Sequence, residues 1–261
     1  MITSATNNRV KRLVALGQKA KLRREENVFL VEGTKMFLEA PKSWVKEVYV
    51  SESFLVKCNF KSKLETFSYE VVSDEVFRKI SDTQTPQGIL SVLTCPKYEM
   101  KQMLAKENPF LVILENIQDP GNLGTILRTG EGAGIDGVIM TKETADIFNP
   151  KVIRSTMGSI YRMPFLYTDD IGASIEELKK RGISVYAAHL SDSVCYDEPD
   201  YQSGTAFLIG NEGNGLKKET ADRATQYIKI PMQGQVESLN AAVATTILMY
   251  EAARQRKNSV K

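Results

Sequence analysis

The chain has 261 residues, 42% of them hydrophobic and 25% charged, with a formal net charge of +2. That length holds one large domain or two with ample core, and the composition is that of a soluble globular protein. No apolar run reaches membrane-spanning length and the basic start has no apolar stretch behind it, so the expectation is a cytoplasmic protein.

Residues 1–24 carry Arg9, Lys11, Arg12, Lys19, Lys21, Arg23 and Arg24 and no Asp or Glu. Val10, Leu13 and Val14 fall at helical spacing, which predicts a short amphipathic helix with a basic face. A solvated surface helix has the same pattern. Phosphate backbone is the alternative occupant, because neutralising it releases counterions and needs only lysine and arginine. Contact with RNA or DNA is the favoured reading, and Arg9, Lys11, Arg12, Lys21, Arg23 and Arg24 are its candidate residues.

Short β-rich runs then alternate with helical ones. Strands are predicted at 29–31, 45–50, 71–72 and 88–93, and helices at 34–39 and 74–80. Residues 1–95 therefore read as a small α/β domain. Residues 96–107, with Pro96, Lys97, Lys101 and Lys106 and few apolar repeats, read as a linker. The second domain, 108–261, opens with a strand at 110–115, a helix at 122–133 and a strand at 137–141. A helix at 175–181 and strands at 184–189, 205–209 and 227–230 follow, and a helix at 239–255 closes the chain. This alternation predicts a mostly parallel sheet covered on both faces.

Cys58, Cys95 and Cys195 lie far apart and form no Cys-x-x-Cys pair, which argues against a structural zinc site or a disulfide framework. His189 is the only histidine, and no motif converges on it. Chemistry without metal, and without much help from imidazole, is expected.

Three segments follow strands, where open α/β sheets bind their ligands. In the first, from Glu115 to Thr129, Pro120-Gly121 makes a turn and Asn122 can cap the next helix. Arg128 sits nearly two turns further on, among apolar residues. A guanidinium there needs a partner, either a structural acid such as Glu131 or a substrate phosphate. The second segment is Gly210-Asn211-Glu212-Gly213-Asn214-Gly215, whose glycines suit close backbone approach to a ligand. It lacks the dinucleotide spacing, and no Gly-Lys-Ser/Thr phosphate loop occurs, so a nicotinamide or nucleotide-phosphate enzyme is disfavoured. The third runs from Ile230-Pro231-Met232-Gln233-Gly234 to Ser238-Leu239-Asn240, with two good N-cap residues before an alanine-rich helix.

Together these segments resemble the SpoU (TrmH-like) ribose 2′-O-methyltransferases of the SPOUT superfamily. Asn122 and Arg128 match the family's first motif, the 210–215 turn its second, and Ile230–Gly234 with Ser238-Leu239-Asn240 its third, with no departure at a motif position. The resemblance covers residues from Phe110 to the C-terminus. Phe29-Leu30-Val31-Glu32-Gly33 and Thr85-Pro86-Gln87-Gly88 are similar to the substrate-binding domain of ribosomal RNA members.

The resemblance implies a C-terminal SPOUT domain with a deep trefoil knot, preceded by a small α/β (L30e-like) substrate-binding domain. It also implies S-adenosylmethionine as methyl donor, against the backbone at Gly210, Ile230 and Leu239, and a homodimer with the site near its interface. The implied catalytic residues are Arg128, Asn122, Glu212, Ser238 and Asn240. Arg128 is either the base or an electrostatic clamp, and Glu212 alternatively no more than its counter-charge. The expected activity is RNA ribose 2′-O-methylation, in ribosomal RNA ahead of transfer RNA. A non-catalytic RNA-binding protein of the same fold is the reading from another class.

Overall fold

Asn7 caps the first helix in the computed structural model, which describes residues 1–258. Its side-chain oxygen accepts the Arg9 backbone N–H, and α1 (Asn8–Gln18) follows. The basic stretch breaks at the extended Lys19, and α2 (Ala20–Glu26) carries its second half. Val10, Leu13 and Leu16 are buried, so α1 turns its apolar edge inward as its spacing predicts.

After α2 come β1 (Val28–Glu32), α3 (Thr34–Glu39), β2 (Val45–Ser51), α4 (Glu52–Lys57) and α5 (Lys61–Leu64). Then β3 (Tyr69–Val72), α6 (Asp74–Ile80) and β4 (Ile89–Thr94) complete a four-stranded sheet of order β1-β4-β2-β3. β4 runs antiparallel to both neighbours, while β2 and β3 are parallel. Strand alternation divides the core: Leu30, Tyr49, Leu90 and Val92 pack with α1 and α6, whereas Val48, Val50 and Ile89 pack with Phe37 and Leu64.

The chain continues through α7 (Met100–Met103), β5 (Phe110–Leu114), α8 (Pro120–Ala133), β6 (Gly137–Thr141), α9 (Pro150–Thr156) and β7 (Phe165–Thr168). α10 (Ile171–Lys180), β8 (Ser184–Ala188), β9 (Val194–Cys195) and β10 (Thr205–Ile209) follow, then α11 (Lys218–Ala221), β11 (Gln226–Lys229) and α12 (Ala241–Asn258). The second sheet has the order β7-β6-β5-β10-β8-β11-β9, and every neighbouring pair is parallel. Every residue of β5, β6 and β10 is buried, which requires helices on both faces. One face packs with α10 through Ile175 and Leu178; α12 lies on α8 and β10. Gly130 makes room for Ile135, whose Cδ1 would stand 2.6 Å from a Cβ there, and Gly132 for Tyr250 of α12, whose Oη would stand 2.8 Å away.

Contacts divide the chain into two units: Met1–Lys97 with Asp146–Tyr161, and Tyr98–Ala145 with the chain from Arg162 onward. The stretch Asp146–Tyr161, which contains α9, packs with the first unit. Phe29 and Phe148 have ring centroids 4.8 Å apart, and Tyr161 Oη donates to Met36 O at 2.8 Å. Arg23, 3% exposed, donates to Asp146 at 2.5 Å and to Leu16 O at 2.6 Å.

The basic face expected of residues 1–24 is thus largely neutralised from within. Arg12 pairs with Glu26 at 2.6 Å and Glu47 at 3.0 Å, Arg9 with Glu70 at 3.0 Å, and Lys21 with Glu25 at 3.8 Å. Arg23 is not a surface residue, because a buried guanidinium holds only with its counter-ion. Lys11, Lys19 and Arg24 are exposed and form no hydrogen bond or ion pair through their side chains among the described residues. Among those residues no helix is long and apolar enough to cross a membrane.

Candidate functional site

The loops leaving the carboxyl ends of β5, β10 and β11 meet. α8 is capped by Asp119, whose carboxylate accepts the Asn122 N–H at 2.8 Å, with Pro120 in the first turn. This corrects the expectation that Asn122 caps the helix: an acid three residues earlier takes that place and frees the Asn122 amide. Asn122 Nδ2 donates to Glu212 Oε1 at 3.0 Å, and its Oδ1 accepts from Asn240 Nδ2 at 2.9 Å. One residue from each of the three segments therefore stands in a single hydrogen-bonded line.

Asn240 also does the capping expected at the third segment. Its Oδ1 accepts the N–H groups of Ala242 at 2.9 Å and Val243 at 3.3 Å, at the start of α12. Ser238, the other cap candidate, lies too early to reach the first turn; it is exposed and makes no hydrogen bond among the described residues.

Glu212 is held on both oxygens. Besides Asn122, it accepts the backbone N–H of Asp119 at 3.0 Å and of Gln118 at 3.1 Å. Burial works against its ionisation, but the hydrogen bonds from Asn122, Gln118 and Asp119 outweigh it and hold the carboxyl below its ordinary value. It therefore does not serve as the counter-charge of Arg128. Neither does Glu131, which is held by Arg162. Arg128 itself is exposed on α8, and its side chain forms no hydrogen bond or ion pair among the described residues. The premise that its apolar neighbours bury it is overturned: they line the inward side of α8, and Arg128 points away from them.

A cavity of about 490 Å³ opens beside this line, walled by Gly210, Glu212, Ile230, Ser238 and Leu239, with Ala188, His189, Ala244 and Leu248. The three backbone positions expected to hold a cofactor share this one cavity. Asn122, Arg128 and Asn240 stand outside its lining. Gly210 is required by the loop's own fold, since a Cβ there would meet Gly215 C at 2.2 Å and Leu216 N at 2.3 Å. Asn211 ties the turn together: its Oδ1 accepts the N–H groups of Gly213 and Asn214, and its Nδ2 donates to Asn116 O at 2.8 Å.

His189, which no sequence motif singled out, is part of the wall. Its ring centroid lies 4.8 Å from that of Tyr227, and its Nδ1 is 3.1 Å from Ser191 O. Glu115, Asn116, Gln118, Asp119 and Asn211 also went unassigned by residue type. Asn116 and Gln118 act through backbone groups, and the side chains of Glu115, Asp119 and Asn211 bind mostly to backbone groups, which a sequence pattern does not display. Among the described residues no group of three or more His, Cys, Asp or Glu could hold a metal ion.

Residues 109–250 match the family model for the SpoU rRNA Methylase family, and residues 7–91 the model for the MRM3-like substrate binding domain. The chain is 35% identical over 251 residues to the 23S rRNA (guanosine(2553)-2′-O)-methyltransferase RlmP of Bacillus subtilis (strain 168), across 95% of this chain and 97% of that one. An AdoMet-bound rRNA methyltransferase from Sinorhizobium meliloti superposes with a TM-score of 0.83 at 33% identity, covering 97% of each chain. The SpoU methyltransferase AviRb from Streptomyces viridochromogenes, in complex with AdoMet, gives 0.87 at 26% identity over 96% of this chain and 98% of that one.

Proposed function

The chain belongs to the SpoU rRNA Methylase family, and from that premise we infer that it is an enzyme, an S-adenosylmethionine-dependent RNA methyltransferase acting on a ribose 2′-hydroxyl in ribosomal RNA. The observation that carries this reading is the line Asn240–Asn122–Glu212 beside a cavity bounded by Gly210, Ile230 and Leu239. The cavity's size, about 490 Å³, is that of a small-molecule site, and its walls combine aliphatic side chains and glycine backbone with polar groups such as Glu212, His189 and Ser238. They fit S-adenosylmethionine, which when bound supplies a methyl group activated by a sulfonium.

The attacking 2′-hydroxyl is a weak acid whose proton passes to solvent water as the new O–C bond forms, and the methyl would come from the sulfonium, which would leave as a neutral thioether. A guanidinium is a donor and not a base, so the part of Arg128 is electrostatic: it draws the ribose oxygen toward its ionised form and holds the neighbouring phosphate. Its lack of an internal counter-ion supports that role, since a guanidinium already paired would have less to offer an anion. Asn122, Glu212 and Asn240 fix the start of α8, and with it the helix that carries Arg128. Ser238, exposed at the cavity wall and without a hydrogen-bond partner among the described residues, is free to contact the ribose.

Labour divides along the chain. Residues 1–95 bind RNA and 108–261 carry transfer and the implied trefoil knot; of the stretch 96–107 expected as a linker, Tyr98 onward packs with the second unit through α7, while 146–161 pack with the first. Of the cations first assigned to RNA, Lys11 and Arg24 are unpaired; Lys19 joins them, while Arg12 and Arg23 serve the fold. The protein works in the cytoplasm as a homodimer. Val243 and Tyr250, 48% and 50% exposed and seven residues apart on α12, supply an apolar face for the second copy. Sedimentation of Tyr250→Glu should give a monomer where the wild type gives a dimer; a monomeric wild type would refute the assembly.

The deciding experiment is methyl transfer from labelled S-adenosylmethionine to unmodified ribosomal RNA and, separately, to transfer RNA. Label in an alkali-resistant dinucleotide of ribosomal RNA is the expected result. Label on transfer RNA alone would overturn the substrate, and label on neither, nor on an assembled ribosomal particle, would overturn the activity.

A further inference from the structure

Glu115 follows β5 and is 3% exposed, a degree of burial that carboxylates rarely show without a partner. No cation pairs with it among the described residues. Its two oxygens instead take two neutral donors from one short stretch far along the chain: Oε2 accepts the Lys217 N–H at 2.8 Å, and Oε1 accepts Thr220 Oγ1–H at 2.6 Å. Thr220 is itself only 4% exposed. Lys217 precedes α11 and gives that helix no side-chain cap; Glu115, at the end of the strand beside β10, accepts the Lys217 N–H instead.

The loop between Ile209 and Lys217 is what this contact holds. Glu115 N donates to Ile209 O at 2.8 Å where the loop begins, and the Glu115 carboxylate takes Lys217 N where it ends. The next residue, Asn116, stands at φ 64 and accepts Asn211 Nδ2 through its carbonyl. From the opposite direction, Glu212 reaches back to the N–H groups of Gln118 and Asp119. Two carboxylates, one on each segment, thus clasp the same pair of loops at different points. The residues between, Gly210 through Leu216, form one wall of the cavity.

We infer that Glu115 is a positioning residue for the cofactor cavity: its carboxylate fixes the exit of the 210–217 loop, and through it the backbone wall that receives S-adenosylmethionine. The inference rests on the cavity's assignment in the proposed function. It goes further in naming a buried residue, outside the three motifs and outside the cavity lining, on which cofactor affinity depends. Charge matters to this role, because an ionised carboxylate accepts at both oxygens. Glutamine has one acceptor and presents N–H groups to the remaining donor.

The test compares full-length wild type with Glu115→Gln and Thr220→Val. Calorimetry reads S-adenosylmethionine affinity, methyl transfer gives KM and kcat, and hydrogen exchange of the 213–217 amides is followed without cofactor. Expected for Glu115→Gln is a Kd and KM for S-adenosylmethionine raised about tenfold, the scale of one lost hydrogen bond to a charged group. kcat should change much less, RNA affinity should hold, and the loop amides should exchange faster. Thr220→Val removes one donor only and should weaken binding less. The double variant should fall short of the product of the two effects. A folded Glu115→Gln protein with wild-type KM and unchanged loop exchange would overturn the inference, as would a loss confined to thermal stability. Faster loop exchange with no cofactor binding by the wild type would leave the clasp standing and overturn the cavity's assignment instead.

Discussion

Arg128 and Glu212 are the two charged residues on which the site turns, and their surroundings are opposite. Arg128 is exposed and its side chain has no ion-pair partner among the described residues, so on the proposed reading its replacement removes a charge offered to RNA and little else. Arg128→Ala should abolish methyl transfer while leaving S-adenosylmethionine affinity, measured by calorimetry, within about twofold, since surface substitutions seldom cost much stability. Loss of cofactor binding in a folded variant would contradict its role. Glu212 is held on both oxygens and its carboxyl is depressed below the ordinary 4.5. A depressed carboxyl contributes stability that is fully present above 4.5 and is lost as pH falls through the lower, folded value. Acid denaturation should therefore show wild type losing stability faster than Glu212→Gln in the window below pH 4.5. Parallel curves would mean that the contacts to Gln118, Asp119 and Asn122 do not couple to ionisation.

Glycine decides the matter at the level of the loop and its strand. At Gly210 an added Cβ would meet backbone rather than a flexible side-chain end, with Gly215 C 2.2 Å away, so the turn itself has to open. Gly210→Ala should cost about 1–3 kcal/mol in chemical denaturation, as overpacking does, and weaken cofactor binding at least about tenfold because the cavity wall moves. Wild-type affinity in that variant would show the loop to be more pliant than its contacts suggest. The first helix carries the other prediction at this scale. Deleting residues 1–24 cannot isolate their RNA contacts, because Val10, Leu13 and Leu16 belong to the core. Replacing Lys11, Lys19 and Arg24 by alanine leaves that core intact. The salt slope of ribosomal RNA binding should then flatten by about 2, on the scale of ~0.7 per phosphate contact for single strands. An unchanged slope would put the RNA surface elsewhere on the first unit.

Across the whole molecule, the chain passes from one compact unit to the other after Lys97, again after Ala145 and back after Tyr161. The excursion brings Asp146 to Arg23, which is 3% exposed. Removing either partner leaves the other charge uncompensated, a loss of about 3–5 kcal/mol for a buried pair. Asp146→Ala should lower the chemical denaturation midpoint accordingly, with the larger share recovered in a double variant that replaces Arg23 by methionine. Additive losses in that double variant would mean that the pair is not coupled.

Several features were legible in the residues alone, for a local reason in each case. Period-2 and period-3.6 patterns placed β1, β2, β5, β6 and β10, because strands and helices bury alternate or spaced side chains whatever their partners are. Glycine spacing and the capping residues marked the loops after β5, β10 and β11, because backbone geometry there depends on residues one to four apart. Short α4, α5, α9 and α11 and the two-residue β9 went unmarked, because their few residues show no repeating apolar pattern. What the tertiary structure decided was pairing. Which acids neutralise Arg9, Arg12 and Arg23, and which backbone donors Glu115 and Glu212 receive, involve partners brought together by folding. A hydrogen bond such as Asn240 to Asn122 joins residues 118 positions apart, and nothing in either one's neighbours records the other. Sequence determined the parts of this site and their order along the chain; only the fold determined which of them touch, because charge and hydrogen bonding act through space.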